Sequence, residues 1–538
     1  RYMLTKTLRV DGFSLETVRA QVLIDSGGRA NYDFIIDGFA DTTATPAPKD
    51  TTKSAWDVSI GRIKLNDIQA VYADGTTGDS INLALGHLSI NMDRFSLNDN
   101  VYRADAIRLS DTEGFVRMAP GESDTASAAS PAPNDTAAAA AMDIGVQKIH
   151  LENNRFEYVE AGTPNRYFAK LGRLELNVDR MDLDAMEYDV KRLALENTDV
   201  VITLEASPPD TSLSTADPFM PMNIRLDELA LSGIGFHMET AGNPHDNLMV
   251  TVSEFEAEDL SVDPDGYALN IRSLRASYDE FDRLENLEAK LKFTRSSAEI
   301  HDLKLRYGNS RVDLDADVSY PDFATLVDRQ EVEKAEISID EIYVPPSDVA
   351  HFREVLDLPD SVVAIPHHPV RLEASVKGDV QSWDVDKLVL ETGQTSVKAK
   401  LRILDADRDD KTFRIEDFDL DLDRGDVLPY TALAGLDTSF IPPHTRVNLS
   451  GVYGPGGTDI DGDLKSTYGD VAISAKGTPS KDVKMPLSVH LKSGWFKFGE
   501  LLATGDSLNA DFDLSVDVAD LSDTTNLRAD LKLRTDTL

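Results

Sequence analysis

The chain contains no cysteine. That removes thiol catalysis, disulfide staples and cysteine-based zinc sites together, and it is compatible with an oxidising compartment. No run of about 18 apolar residues occurs, so no stretch is suited to cross a bilayer as a helix. Positive charge is scarce: 54 Lys and Arg stand against 95 Asp and Glu, a net charge of −41. Such a surface repels phosphate backbones and anionic membranes, which argues against nucleic-acid binding and electrostatic membrane adhesion. Catalytic signatures are missing as well. There is no P-loop, no glycine-rich dinucleotide turn after a strand, no HExxH and no GxSxG. No carboxylate pair stands out with a local reason for a raised pKa, so an enzyme is not expected.

What the sequence does have is repetition. At 538 residues it is too long for one ordinary core. Three stretches rich in Pro, Ala, Ser and Thr, near 41–55, 119–141 and 206–221, read as solvated loops. After each comes the same phrase, apolar-x-apolar-x-x-apolar-x-apolar. It opens the groups as Val58/Ile60/Ile63/Leu65, Ile144/Val146/Ile149/Leu151 and Ile224/Leu226/Leu229/Leu231. It returns mid-group as Leu83/Leu85/Leu88/Ile90, Ala169/Leu171/Leu174/Leu176 and Val250/Val252/Phe255/Ala257. A third set is Tyr102/Ala104/Ile107/Leu109, Tyr188/Val190/Leu193/Leu195 and Leu269/Ile271/Leu274/Ala276. Within each set the first two copies lie 86 residues apart and the next two 80 or 81. That constancy marks a tandem repeat.

Alternation of period two is a strand with one buried face. The extra central residue would turn half of each strand over unless a β-bulge absorbs it, and a bulge also increases bend and twist. Bulges are therefore expected at one level in successive strands, at or near Gly61, Gly86, Gly145 and Gly172, in a sheet that curls about its apolar side.

The second half uses other phrases. Strand–glycine–strand units align as Leu303/Leu305/Tyr307–Gly308–Val312/Leu314/Ala316, Leu388/Leu390/Thr392–Gly393–Val397/Ala399/Leu401 and Leu464/Ser466/Tyr468–Gly469–Ile473/Ala475. Gly followed by Asn309, Gln394 or Asp470 suits a tight hairpin turn. The run Asp417–Asp423 alternates acid with apolar, one face of each kind. Short helices are expected at Ser347–Leu356, with Ser347 as N-cap, and at Asp322–Val332, Asp426–Leu433 and Phe498–Ala503. His367-His368 reads as a solvated turn between prolines. The acidic runs Asp459–Asp463 and Asp405–Asp410 read as hairpin ends, the first lacking the glycine and glutamate of a calcium loop.

These phrases resemble the AsmA/TamB superfamily of repeating β-groove proteins, most like a TamB-type translocation and assembly segment. The resemblance is carried by Leu85-Gly86-His87-Leu88 through Leu97, by its degenerate copy Leu171-Gly172-Arg173-Leu174 through Leu183, and by the opener Asp57–Leu65 leading to Tyr72-Ala73-Asp74. It implies an elongated, mainly antiparallel all-β sheet curled into a taco-like groove. It further implies a periplasmic place between the inner and outer membranes of a Gram-negative envelope, with an inner-membrane anchor outside this segment. Phospholipid or another acyl lipid would be the cargo, and an outer-membrane barrel a partner through a C-terminal region outside it. Organisation is expected as entry strands (1–52), three groove repeats (53–141, 142–221, 222–300) and a continuing region (301–538). The groove lining is expected from the opening and mid-group apolar residues above, the two alanines apart. No cofactor and no metal is expected. The alternatives are a scaffold for outer-membrane protein assembly that offers a sheet edge, or a structural β-protein whose apolar faces are packed shut.

Overall fold

The computed structural model describes residues 7–34, 57–96, 101–119, 143–183, 185–205, 219–278, 282–323, 332–355, 364–408, 411–434, 441–477, 487–502, 508–518 and 527–534. The fold is all-β, 77% strand and 6% helix, with a large, curved, mainly antiparallel sheet. The expected loop 41–55, nearly all of the loop 119–141, residues 206–218 of the loop 206–221 and residues 324–331 of the expected helix Asp322–Val332 lie outside the described residues. The chain divides into two units, Arg1–Leu284 and Glu285–Leu538.

In the first unit several strands are broken once. β1 (Thr7–Val10) runs on into β2 (Phe13–Ile24), and β3 (Asp57–Ile60) into β4 (Arg62–Asp74). β6 (Val101–Ser110) likewise continues as β7 (Glu113–Met118), and β8 (Asp143–Val146) as β9 (Lys148–Glu160). Unbroken are β5 (Ser80–Ser96), β10 (Arg166–Asp182), β11 (Glu187–Leu204), β12 (Asn223–Thr240), β13 (Asn243–Asp263) and β14 (Gly266–Tyr278).

The pairing falls into groups of three strand paths. Inside a group neighbours are antiparallel: β4 with β5, β5 with β6 and β7, β9 with β10, β10 with β11, β12 with β13, β13 with β14. Between groups they are parallel: β2 with β4, β6 and β7 with β8 and β9, β11 with β12. A parallel neighbour requires a connection of about a dozen residues or more. The three Pro/Ala/Ser/Thr-rich segments fall at those three junctions, between Ile24 and Asp57, Met118 and Asp143, and Leu204 and Asn223. Their length therefore follows from strand direction.

Bulges cross this unit at two levels. One runs through Thr17, Asp67, Asp111, Asn153 and Asn197, all with φ between 50 and 54°, to Gly233 at 61°. The pairing skips each of these residues, as where Glu196↔Ser232 is followed by Thr198↔Ile234. Opposite them, on the antiparallel side, stand Gly86 and Gly172. A Cβ on Gly86 would sit 2.5 Å from the Asp111 carbonyl oxygen, and one on Gly172 2.6 Å from that of Asn197. Asp and Asn tolerate the left-handed conformation and Gly gives the close approach, so residue identities and backbone agree. Two threonines close the loop of main chain. Thr112 Oγ1 donates to Ser110 O and Thr198 Oγ1 to Glu196 O, each at 3.2 Å. The other level lies six residues away, at Gly61, Lys191, Asp227 and Asp259. Gly145 is not on either level: it sits inside β8, where a Cβ would meet nothing nearer than 3.7 Å. The break falls instead at Gln147, whose N–H donates to Ala104 O.

The second unit is a simple antiparallel meander. Its strands are β15 (Asp282–Thr294), β16 (Ser297–Tyr307), β17 (Ser310–Ser319), β18 (Lys334–Val344), β19 (Val370–Asp379), β20 (Ser382–Thr392), β21 (Thr395–Leu404) and β22 (Thr412–Asp423). They continue as β23 (His444–Gly454), β24 (Gly457–Ser466), β25 (Gly469–Gly477), β26 (Leu487–Lys497), β27 (Asn509–Val518) and β28 (Leu527–Arg534). Helices α1 (Pro346–Val355), α2 (Arg424–Ala434) and the single turn α3 (Phe498–Leu501) follow β18, β22 and β26. α1 begins one residue before the expected start. Ser347 lies inside its first turn and donates to Asp348 Oδ1 rather than capping. The first two glycine turns are two-residue hairpins, Tyr307↔Ser310 and Thr392↔Thr395. The third is also a two-residue hairpin, Ser466↔Gly469, but its turn residues are Thr467-Tyr468, and Gly469 starts β25, pressed against the main chain of Trp495.

The helices hold the first two turns. Asp348 Oδ2 accepts from Asn309 N–H (2.9 Å) and Ser310 Oγ (2.7 Å). Asp426 Oδ2 accepts from Gln394 N–H (2.7 Å), Thr395 N–H (2.9 Å) and Thr395 Oγ1 (3.1 Å). Burial works to raise the Asp348 pKa, but the hydrogen bonds from Ser310, Ser347 and Asn309 outweigh it and hold the carboxyl below the ordinary aspartate value. A depressed folded-state pKa contributes stability above the unfolded value near 4 and loses it as pH falls through the folded value. The urea midpoint of the wild type is therefore expected to fall on acidification below about pH 4 more steeply than that of Asp348→Asn. At neutral pH Asp426→Ala, which orphans the buried Thr395 N–H and the part-buried Gln394 N–H, should cost about 1–3 kcal/mol in urea melts.

Candidate functional site: an open apolar sheet face

The double step in every strand has one geometric result. It returns each apolar pair to the same face, and the register then aligns those pairs across strands. One row reads Leu15, Leu65, Leu88, Leu109, Leu151, Leu174, Leu195, Leu231, Phe255, Leu274, each directly opposite the next. The next reads Phe13, Ile63, Ile90, Ile107, Ile149, Leu176, Leu193, Leu229, Ala257, Ile271. Beyond the left-handed level lie Ala20, Ala70, Leu83, Gly114, Phe156, Ala169, Val200, Phe236, Val250 and Tyr278 in one further row. The remaining predicted positions take places in the same pattern: Ile60 in β3, Ile144 and Val146 in β8, Leu85 opposite Ile68, Leu171 opposite Asn154, Ile224 and Leu226 beside β11, Val252 opposite Ile234. Val58 pairs with Leu8 in the adjoining two-stranded ribbon.

Among the described residues no strand or helix is layered over this face, although Phe219 stacks on Tyr267 at one end with ring centres 5.3 Å apart. Among the described residues, Leu65, Leu88, Leu151, Leu174, Leu195 and Leu231 are all partly exposed, and the extensive contacts of each strand are with its sheet neighbours. Full burial of a leucine is worth about 1.5–3 kcal/mol, so a partly exposed row leaves some of that stabilisation unrealised. Two predicted positions are the exception: Leu85 and Leu226 are 8% and 7% exposed and offer little to a ligand. A concavity of about 420 Å³ on this face is lined by Ile81, Leu83, Val116, Phe156, Tyr158, Tyr167, Ala169, Val200 and Ile202. Gly114 makes room for it in part, since a Cβ there would lie 2.8 Å from the Phe156 ring. Tyr158 and Tyr167 pack across the strands with ring centres 5.8 Å apart.

The opposite face is ionic. Arg192 pairs with Glu228 at 2.9 Å, Arg166 with Glu157 at 2.9 Å and Lys191 with Asp179 at 2.9 Å. The second unit repeats the division: Leu305, Val312, Ile342, Leu372, Leu390, Val397, Leu420, Val447, Leu464 and Val471 form one registered row. On the other side the acidic stripe of β22 meets basic side chains, the His444 ring 3.0 Å from Asp423 and Arg446 bonded to Asp421.

Groups able to hold a metal are few among the described residues. Glu299, His301 and Asp317 place ligand atoms within 4.8 Å of one another. Glu299 is already bonded to Lys292 Nζ at 2.9 Å, and the His301 ring lies 3.2 Å from Asp317, solvent-accessible pairings of modest energy. His367 and His368 do not converge. The first faces Gly425 O at 3.3 Å, the second Asp426 Oδ1 at 3.5 Å. Asp459, Asp461 and Asp463 lie in β24, where Asp459 faces Lys476 at 3.5 Å. Of Asp405–Asp410, residues 405–408 are described and form a turn.

No family model matches this chain, and comparison with curated proteins and with solved structures finds no match.

Leu88→Asp and Leu174→Asp test whether the face is open. A carboxylate on a partly exposed site can keep its water, so thermal melts are expected to shift by no more than a few degrees. Binding of a fluorescent apolar probe should fall severalfold in each. Outright unfolding of either variant would mean that the row is a packed core.

Proposed function

We propose that this protein carries lipid acyl chains along its apolar sheet face, as an AsmA/TamB-like conduit in the periplasm. The observation that carries the reading is the registered leucine row, uninterrupted from Leu15 to Leu274 and left partly exposed. Exposed apolar area on this scale is unusual unless something occupies it. A methylene gains about 0.8 kcal/mol on leaving water, so a single tail is well held. Aliphatic lining of nearly constant character offers many sites of similar energy, and cargo can move between them without a deep trap. The headgroup stays in water at the rim, and the acidic outer face keeps the protein soluble. The reading assigns no catalytic residue, cofactor or metal, and takes phospholipid as cargo between inner and outer membranes, with a barrel partner at the far end.

Purification without added lipid, organic extraction and mass spectrometry test this directly. Phospholipid at or above one mole per mole of protein, diminished in Leu88→Asp, is the expected result. A monodisperse preparation free of lipid would overturn it.

A further inference from the structure

The walls of the concavity on the apolar face come from two neighbouring rows. In the inner row Gly114 and Ala169 stand on either side of Phe156, so two small residues leave a trough beside an aromatic ring. In the outer row Tyr158 and Tyr167 stand between Val116 and Ile202. Five adjacent strands take part, β5, β7, β9, β10 and β11. The trough therefore runs about 19 Å across the sheet, over four spacings of roughly 4.8 Å. Its volume of about 420 Å³ is at the small end for a ligand site. Chemistry narrows the occupant further. The groove-side groups of both rows are apolar apart from the two tyrosine hydroxyls, so nothing in the trough recognises a charge. The main chain of all five strands is already paired on both sides within the sheet. A polypeptide segment laid there, from this chain or another, would find no partner for its N–H and C=O groups, and each such group is costly to bury. A hydrocarbon chain has none to satisfy, and a long narrow trough suits a linear one.

Charge enters just beyond the outer row. Two residues along, alternation leads from Tyr72 to Asp74, from Ile81 to Asp79 and from Tyr158 to Glu160, all at strand ends. The Tyr72 hydroxyl donates to Asp74 Oδ2 at 3.2 Å, and hydrogen bonds from Thr76 hold the Asp74 carboxyl below the ordinary aspartate value. The trough runs alongside this rim, so the polar end of any ligand leaving it meets three acids. A free fatty acid would set its carboxylate against them, whereas a zwitterionic headgroup turns its ammonium to them. Taking the lipid-carrying reading above as its basis, we propose that the trough beside Phe156 is a resting seat for one acyl tail of a zwitterionic phospholipid. The second tail lies along the leucine rows, where cargo slides; in the trough it pauses.

The probe is phosphatidylcholine with a photoactivatable diazirine near the end of one tail, presented in phosphatidylcholine vesicles to the full chain. After illumination and digestion, mass spectrometry should place most crosslinks on β7, β9 and β10, saturating near one per chain. Ala169→Trp fills the trough without adding charge and is expected to lower labelling there at least tenfold. Ala316→Trp, on the apolar side of β17 between Ile300 and Ile337, should leave it unchanged. Palmitate with the same diazirine, at equal mole fraction in the same vesicles, is expected to label the trough severalfold less. Labelling spread evenly over the apolar rows of both units would overturn the seat and leave the conduit standing, whereas no labelling anywhere would remove both. Unchanged labelling in a folded Ala169→Trp chain, or stronger labelling by palmitate, would also overturn the proposal. The wild-type map decides the matter should Ala169→Trp fail to fold.

Discussion

Everything in the first unit depends on a close approach between a left-handed residue and a glycine across the sheet. Asp111 with Gly86 and Asn197 with Gly172 are the two clearest cases. Each lets a strand gain a residue without turning its apolar side to water. Repeated at the same level from strand to strand, the local adjustment becomes a property of the whole sheet: the rows stay in register while the sheet bends. Were one such site straightened, every apolar residue beyond it would change faces.

A sheet built this way has little use for helices as cover. In the second unit helices do appear, but they serve at strand ends, where Asp348 and Asp426 fasten the glycine turns at 308 and 393. The third copy has Glu500 at the matching place, and it reaches Lys497 instead (3.5 Å), while Phe496, Phe498 and Phe512 cluster around the helix. Polar clamp and aromatic cluster are two solutions to one problem, that of fixing a hairpin that has no second layer to rest on.

Much of this was legible in the residues, and the limits are physical. The phrase apolar-x-apolar-x-x-apolar-x-apolar reveals both the strand and its bulge, because any other backbone would bury polar side chains. It reads the same from either end, however, so it carries no information on strand direction. The parallel junctions were therefore invisible in the pattern, although the length of the three Pro/Ala/Ser/Thr-rich connections was a usable sign. A second level of bulges was also hidden in plain view: Ile68 follows Leu65 by three, as Ile63 follows Ile60. Gly145 lies near the break at Gln147 but not in it, so a glycine marks the neighbourhood of a bulge and not its position. The aspartate clamps escaped notice because donor and acceptor lie far apart in sequence, yet Ser347-Asp348-Val349 and Gly425-Asp426-Val427 did offer a repeated signal. Of the expected lining, Leu85 and Leu226 are buried, at 8% and 7% exposure.

The parallel junctions have a consequence for how such a sheet can change in length. A group of three antiparallel strand paths ends pointing as it began, and a parallel neighbour then starts the next group in the same direction. Successive groups are thus related by translation, with no reversal of polarity and no exchange of faces. Duplicating or deleting one whole group would widen or narrow the sheet by about 14 Å, from three spacings of roughly 4.8 Å, and leave every remaining contact as it was. Span in the first unit is accordingly a matter of copy number, open to adjustment by recombination without compensating substitutions.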